Sequence, residues 1–515
     1  MQQVIPAIAL EVSVLLLGVL MLFAEAFSKR ADRSHMAKYA IAVLAAIVGF
    51  SFFTQAAPET IVVGSYWKFY SVDATALFFK RIALVSTIVF LVMALEYRSV
   101  LARFIPGEEE GRGTGEFYCL PVFICVGLMF MASAVDFILI FVSLELVTIG
   151  FYALVAYMRR HTLSLEAGVK YLILGALSTG FLVYGITWIF GLTGQTNLAL
   201  VKMELIRGFS VPSIGGGEKL GHLIGNEHAL LFGIVLVLVA LGFKVAAAPF
   251  QLWVPDVYQG APTPVTALLS VGSKAAGFIV LVRVLDVFLA VPAVQEKVTS
   301  ILVLLAAATL IYGNITALPQ ENLKRLFAYS SIAHAGYLLV ACASLGGDFA
   351  AAKQAVSFYL AGYLLMTLLS FLILIVVARH SRGDEIRHFN GLGKRSPMLA
   401  FAMTLAIASL AGIPLTAGFL GKFLVFKTAV ATGHWVLVGI GIVAVAAGFY
   451  YYIKVIAAMY WREAEDAKPI VIAPLTRCAI TVLGVLIIVL GIFPRPVLNQ
   501  LRERRQEPPA QVARH

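Results

Sequence analysis

Charge is scarce in this chain: Asp, Glu, Lys and Arg make up 13% of its 515 residues, while 60% are hydrophobic. A soluble domain carries about 25% charged and 45–50% apolar residues. With a mean hydropathy of +0.92, the chain cannot cover a water-facing surface, and a polytopic membrane protein is implied. Cysteine is scarcer still. Cys119, Cys125, Cys342 and Cys478 form no C-x-x-C and lie in or beside apolar runs, so they read as small buried hydrophobes, with no disulfide or metal expected. Energy-capturing motifs are missing too. "GLGKRS" and "GFLGKF" lack phosphate-loop spacing, and neither H-E-x-x-H nor a glycine-rich dinucleotide fingerprint occurs. Energy must therefore come from an ion gradient or a partner. The first apolar run has no basic stretch before it and no cleavage motif, so a retained helix is expected rather than a signal peptide.

What is present is a succession of apolar runs. At about 20 residues per crossing, the sequence predicts an all-α polytopic membrane protein with fourteen transmembrane helices, near 5–27, 38–56, 73–95, 117–133, 136–157, 167–190, 229–251, 264–288, 299–317, 327–345, 354–378, 397–428, 434–460 and 472–493. The formal charge of +11 suggests nucleic acid at first sight, but the basic residues lie between the spans. Connections such as "SKRADRSHMAK", "MRRH", "NLKR" and "RHSRGDEIRHFNGLGKRS" alternate with basic-poor ones such as "GGDFAAAK" and "ATGH". Lys and Arg collect on the inner side, which predicts that both termini face the outer, periplasm-like side. The basic tail "LRERRQEPPAQVARH" disagrees and is outvoted. The connection 191–228 reads as a flexible outer loop, and no soluble domain is expected.

Ionisable residues inside spans cost roughly 2.5–3.5 kcal/mol each on insertion scales and mark function by default. Four stand out: Glu145 in "DFILIFVSLELVTIGFYALVAY", Lys244 in "ALLFGIVLVLVALGFKVAAAPFQLW", Lys274 in "TALLSVGSKAAGFIVLV" and Lys422 in "IASLAGIPLTAGFLGKFLVF". The bland alternative is snorkelling for the lysines and a structural ion pair for Glu145. The functional alternative is a proton relay. Shifting an ammonium from about 10.4 to near 7 corresponds to roughly 4.6 kcal/mol, and a proton crossing 100 mV is worth about 2.3 kcal/mol. The two are of the same order, so a buried lysine whose carboxylate partner comes and goes could load and release a proton. The expectation is that Glu145 pairs with and tunes Lys244, while Lys274 and Lys422 continue the path.

The surroundings favour a relay. "VAAAPFQLWVP" follows Lys244 and "AGIPLTAG" precedes Lys422, and mid-span proline breaks are tolerated only where freed backbone groups face protein or water. Broken spans at matching places suggest inverted repeats. A single membrane domain, 1–515, is expected: three helices over 1–97, repeats of five helices over 117–288 and 299–460, and a last helix over 472–493. His334, in "YSSIAHAGYLLVACASL", is either a relay near neutral pH or a hydrogen-bonded structural histidine. Glu166 and Lys170, four apart on one helix face, form a plain pair or line a proton inlet. Asp73 and Asp136 lie near span ends and read as interfacial.

"LGFKVAAAPFQLWVPDVYQGAPTPVTALLSVGSKAAGF" (241–278) closely resembles the most characteristic segment of the antiporter-like membrane subunits of respiratory complex I, and "LKRLFAYSSIAHAGYLL" and "GIPLTAGFLGKF" resemble that family's later signatures. The resemblance covers essentially the whole chain. "WVPDVYQGAPTPV" is similar to the N branch of NADH-quinone oxidoreductase subunits, whereas the M and L branches carry a "PFHTWLPDA"-like version. Lys422 agrees, since the M branch has a glutamate there. About twenty residues follow the last span, so the lateral helix of the L branch is not expected. The resemblance implies a proton channel in the membrane arm of a bacterial inner membrane, beside the sister antiporter-like subunits. Glu145 and Lys244 would be the tuning pair, Lys274 the central relay, Lys422 the residue toward the outer exit, and Glu166 and His334 secondary members. It further implies that no cofactor binds here, with NADH, FMN, iron–sulfur clusters and quinone held by partner subunits. The rival readings are a subunit of a multi-subunit cation/proton exchanger and a non-pumping scaffold whose charges fix helix register.

Overall fold

The computed structural model describes residues 4–27, 32–54, 68–105, 114–210, 226–381, 383–464 and 468–501. Parts of the connections near 28–31, 106–113 and 211–225, and the tail from 502, lie outside the described residues. The order is helix after helix: α1 (Val4–Phe27), α2 (Ser34–Ser51), α3 (Ala74–Leu101), α4 (Gly115–Ser133), α5 (Phe137–Val155), α6 (Thr162–Thr193), α7 (Leu198–Ser210), α8 (Glu227–Val245), α9 (Val254–Gly260), α10 (Thr263–Leu268), α11 (Lys274–Phe288), α12 (Pro292–Ala317), α13 (Leu323–Ala343), α14 (Phe349–Ser381), α15 (Pro397–Ala411), α16 (Ala417–Ala431), α17 (Trp435–Trp461) and α18 (Pro474–Ile492). Thirteen helices or joined helices among the described residues are long and apolar enough to cross a membrane. The fourteenth crossing is made by α15 and α16 together, two shorter helices in tandem. Each expected span corresponds to one of these. Helices dominate because every backbone polar group in hydrocarbon must find its partner inside its own segment.

Burial divides the bundle. The spans Thr263–Phe288, Leu323–Gly346 and Phe349–Ser381 are almost wholly enclosed, whereas α6 and α17 leave most of their surface outside. The enclosed spans carry the residues that lipid would not tolerate, and the peripheral ones present apolar side chains such as Ile149, Ile173, Val443 and Leu486. The expected loop 191–228 needs a correction. Its first part folds as α7, because "LALVKMELIRGF" has helical apolar spacing and Lys202 pairs with Asp286 at 3.0 Å.

Span ends carry their own signals. Asp73 and Asp136 are N-caps, accepting from the amides of Ala76 and Ile138, which satisfies donors orphaned at a helix start. Asn226 and Asn322 do the same for α8 and α13. The two proline-flanked breaks also form. After Val245 the chain turns through Ala246 (φ +65°) and resumes at α9; after Ala411 it turns through Gly412 (φ +92°) and Leu415 (φ +69°) before α16. A third irregularity is the π-turn Leu269–Ser273, immediately before Lys274, which the sequence does not announce.

Candidate functional site

The three span lysines converge on the enclosed core. Lys244, Lys274 and Lys422 are 5%, 3% and 7% exposed, which removes snorkelling as an account of any of them. Each is held by neutral oxygens. The Lys244 ammonium donates to the Thr148 hydroxyl on α5 at 3.2 Å. Lys274 donates to both the carbonyl and the hydroxyl of Ser331 on α13 at 2.5 Å. Lys422 reaches back across the α15–α16 break to the carbonyls of Leu410 and Ala411, each at 2.8 Å. Those carbonyls end α15, where the helix dipole favours a cation.

Glu145 and Lys244 do not touch. No nitrogen–oxygen approach within 4 Å joins them; instead Glu145 accepts from the Thr179 hydroxyl of α6 at 2.7 Å. Thr148 lies one turn from Glu145 on α5, so hydroxyls stand where the sequence suggested a direct pair. The stem of Lys244 packs on α11, since a Cβ on Gly277 would sit 3.2 Å from Lys244 Cγ. Gly277 is one turn from Lys274. The two lysines therefore address the same face of α11, with no hydrogen bond between them.

From Lys274 to Lys422 the space is filled by aromatic and hydroxyl groups. The Lys274 ammonium lies 5.5 Å from the Tyr363 ring centroid, and Tyr258 shares a hydrogen bond with Ser331 at 3.1 Å. The His334 ring stands 5.0 Å from that of Tyr363. Its nitrogens meet the hydroxyls of Tyr359 at 2.7 Å and Tyr452 at 3.3 Å, and Tyr452 in turn bonds Ser330. Beyond His334, the Tyr337 ring lies 6.1 Å away, and the Lys422 ammonium is 5.0 Å from that same ring. The result is a buried row of aromatic and ionisable groups, Lys274–Tyr363–His334–Tyr337–Lys422, joined by ring contacts. Its hydrogen bonds branch to Ser331, Tyr359 and Tyr452, around a histidine whose two nitrogens can each donate or accept.

Glu166 sits apart from this axis, near the Lys/Arg-rich end. It pairs with Lys170 at 2.7 Å, as four-residue spacing allows, and Lys170 also binds Asp256 at 2.6 Å. Arg325 completes the group, 3.2 Å from Asp256 and 2.9 Å from the Gln259 amide oxygen. Burial alone would raise the Asp256 carboxyl; hydrogen bonds and charge from Lys170 and Arg325 outweigh it and hold the group below its ordinary value. Beside them Lys324, 4% exposed, donates to the carbonyls of Gln259 and Ala261 where α9 ends.

Several of these residues are missed from sequence alone. Thr148, Thr179, Ser331 and Tyr258, Tyr359, Tyr363 and Tyr452 are unremarkable letters in apolar runs. Lys324 reads as a loop charge in "NLKR". Glu11 and Lys80 had a detectable signal, a carboxylate within "VIPAIALEVSVLLLGVL" and an ammonium within "TALFFKRIALV". They form a wholly buried ion pair at 2.9 Å. Among the described residues no cluster of three or more His, Cys, Asp or Glu could hold a metal ion.

Comparison with known proteins agrees with this geometry. The sequence profile described as "NADH:quinone oxidoreductase/Mrp antiporter, TM" matches residues 134–448, which include α5 through most of α17. NADH-quinone oxidoreductase subunit N of Desulforamulus reducens is 36% identical over 466 residues, 90% of each chain. Subunit N of Dehalococcoides mccartyi is 34% identical over 498 residues, covering 96% of this chain and 97% of its own. A chain in the solved structure of respiratory complex I from Thermus thermophilus superposes with a TM-score of 0.76 at 30% identity, covering 96% of this chain and 99% of its own. This chain belongs to the NADH:quinone oxidoreductase/Mrp antiporter transmembrane family.

Proposed function

We propose that this chain is a proton-translocating membrane-arm subunit of an NADH-quinone oxidoreductase, and that Glu145, Lys244, Lys274 and Lys422 are its relay. One observation carries the reading. Three buried lysines, one on an enclosed span and two on helices beside them, are each held by hydroxyls or carbonyls, with no carboxylate of the described residues within 4 Å. An ammonium so placed is costly to keep charged, and neutral oxygens still serve it when it is an amine, because the amine keeps two N–H donors for carbonyls and a hydroxyl can donate as well as accept. Each lysine is thus able to change protonation state without breaking an ion pair. Glu145 acts on Lys244 across the Thr148 and Thr179 hydroxyls, Lys274 is the central station, and Lys422 passes protons toward the exit. His334 joins the last two, and Glu166 with Lys170 and Asp256 lines the inlet.

The Lys/Arg-rich connections support an inlet on the inner side and both termini on the outer side of a bacterial membrane. The breaks after Lys244 and before Lys422 support a division into two inverted five-helix repeats, 117–288 and 299–460. Sister antiporter-like subunits are the neighbours, and redox chemistry, with its NADH, flavin, iron–sulfur and quinone sites, belongs to partner chains. The test is Lys274→Met in the intact complex, with NADH-dependent quinone reduction and proton uptake followed together. Loss of both, with parental yield of complex, supports an obligatory relay. Parental rates of both make Lys274 structural and refute it. If a tag on this chain brings down no NADH:quinone activity but cation-driven proton exchange, the exchanger reading replaces the redox one.

A further inference from the structure

The three span lysines are not served alike. An ammonium offers three N–H donors and no acceptor. The amine left when a proton departs keeps two donors and gains a lone pair that needs one. Lys422 faces two backbone carbonyls, which cannot donate. Lys244 faces the Thr148 hydroxyl, whose own hydrogen is held by the Leu144 carbonyl at 2.6 Å. Ser331 differs. Its hydroxyl meets the Lys274 ammonium and, at 3.1 Å, the phenol of Tyr258, and either of those two oxygens can donate to the other. Among the described residues no helix carbonyl takes the Ser331 hydrogen.

The same heavy-atom positions therefore suit both protonation states of Lys274. In the ammonium, one N–H meets the Ser331 carbonyl, one the Ser331 hydroxyl, and one turns to the Tyr363 ring, 5.5 Å from its centroid. Ser331 then donates to the Tyr258 oxygen. In the amine, two N–H groups keep the carbonyl and the ring, the lone pair takes the Ser331 hydrogen, and Tyr258 donates to Ser331. Hydrogen bonds in a chain polarise one another, so the phenol strengthens the serine as acceptor in one state and as donor in the other. Tyr258 is held for this. The Thr266 hydroxyl donates to its carbonyl at 3.0 Å, and Lys324 of α13 grips the next turn at the carbonyls of Gln259 and Ala261.

We propose that Ser331 and Tyr258 are positioning residues of Lys274: a reversible pair of hydroxyls that turns round when the lysine changes protonation state. The inference rests on reading Lys274 as a proton station. When the proton leaves for the next station, one N–H bond breaks and its electron pair stays on Nζ. The amine turns about its C–N bond to present that pair to Ser331, and the serine and phenol O–H bonds rotate without breaking. The titratable groups that face Lys274 are Tyr258 of α9, Tyr363 of α14 and His334 of α13, with Lys244 of α8 on the same face of α11.

The measurement is proton uptake against pH in membranes carrying the intact complex, with its yield followed alongside. Ser331→Ala takes one acceptor from the ammonium and one donor from the amine. A hydrogen bond to a charged group is the stronger of the two, so the alkaline limb of the profile should move to lower pH by roughly one unit, tenfold in proton affinity. Tyr258→Phe should slow uptake by roughly two- to tenfold, and should add nothing in the Ser331→Ala background, because it acts through that hydroxyl. An unmoved limb in Ser331→Ala at parental yield overturns the proposal, as do effects of the two substitutions that multiply. Should Ser331→Ala not assemble, Tyr258→Phe alone must slow uptake, and a parental rate is fatal. Lys274→Met at the parental rate sinks the station and this pair with it; Lys274→Met inactive beside an unmoved Ser331→Ala limb sinks only the pair.

Discussion

Removing one hydroxyl between Glu145 and Lys244 tests whether their coupling runs through side-chain oxygens. Thr148→Val keeps the branched shape and deletes the group to which Lys244 donates at 3.2 Å. Both residues are buried, at 3% and 5% exposure, so water does not readily replace the lost acceptor. A hydrogen bond to a charged group is worth about 1.5–3 kcal/mol, and leaving a buried ammonium unserved forfeits it. At about 1.4 kcal/mol per factor of ten, any step that needs Lys244 charged should slow by roughly 10- to 150-fold. The helix itself is not at risk, because the other bond of Thr148 is to the carbonyl of Leu144 one turn back, which the helical ladder does not require. The assay is proton uptake and NADH-dependent quinone reduction in membranes carrying the variant complex, with its yield measured alongside. Thr187→Val is the control, since Thr187 is exposed and bonds only the Val183 carbonyl. Thr148→Val turning over within twofold of the parent would refute the hydroxyl-mediated coupling.

Two further outcomes follow from the breaks and the basic end. Gly412 has φ +92°, and a Cβ there would sit 3.1 Å from Lys422 Cδ. Gly412→Ala therefore adds about 1–2 kcal/mol of left-handed strain and displaces the lysine; lower yield of complex and slower proton uptake are expected, and parental values of both would remove the break from the Lys422 site. Asp256 is held below its ordinary value by Lys170 and Arg325 against the opposing effect of burial. Its stabilising contribution is fully present above the unfolded value and is lost as pH falls through the folded one. Asp256→Asn should thus lower the thermal midpoint at neutral pH, with the gap to the parent beginning to narrow as pH falls below about 4 and closing through the lowered folded value; a gap that does not narrow with falling pH would show that the loss is not electrostatic.

How much of this is legible in the letters depends on whether a residue is conspicuous where it stands. The spans are legible because hydrocarbon thickness fixes run length, and each expected crossing has its helix. Glu145, Lys244, Lys274 and Lys422 are legible because charge in an apolar run has a cost that demands a cause. Glu11 and Lys80 are legible by the same logic, each a lone charge type within an apolar run. Partners are another matter. Ser331 lies 57 residues from Lys274 and Thr148 lies 96 from Lys244, and only the reach of the lysine side chains across the folded bundle brings them together. Tyrosines are invisible for a different reason, since Tyr363 or Tyr359 in an apolar span looks like any large side chain until its hydroxyl is seen beside His334.

The direct Glu145–Lys244 pair was the natural expectation, because charge attracts charge. Its absence strengthens the relay on physical grounds. Two unit charges at 4 Å attract by about 4 kcal/mol even at an effective dielectric of 20, and neutralising either one forfeits that whole term. A closed pair would hold its proton against a driving force of about 2.3 kcal/mol per 100 mV. Oxygen ligands such as the Thr148 hydroxyl and the Leu410 and Ala411 carbonyls place each ammonium in a shallower well, within reach of the energy a membrane supplies. Glu145, one helical turn from Thr148, can then deepen or release the Lys244 well by a small movement of its carboxylate, without a barrier of ion-pair size at every turnover.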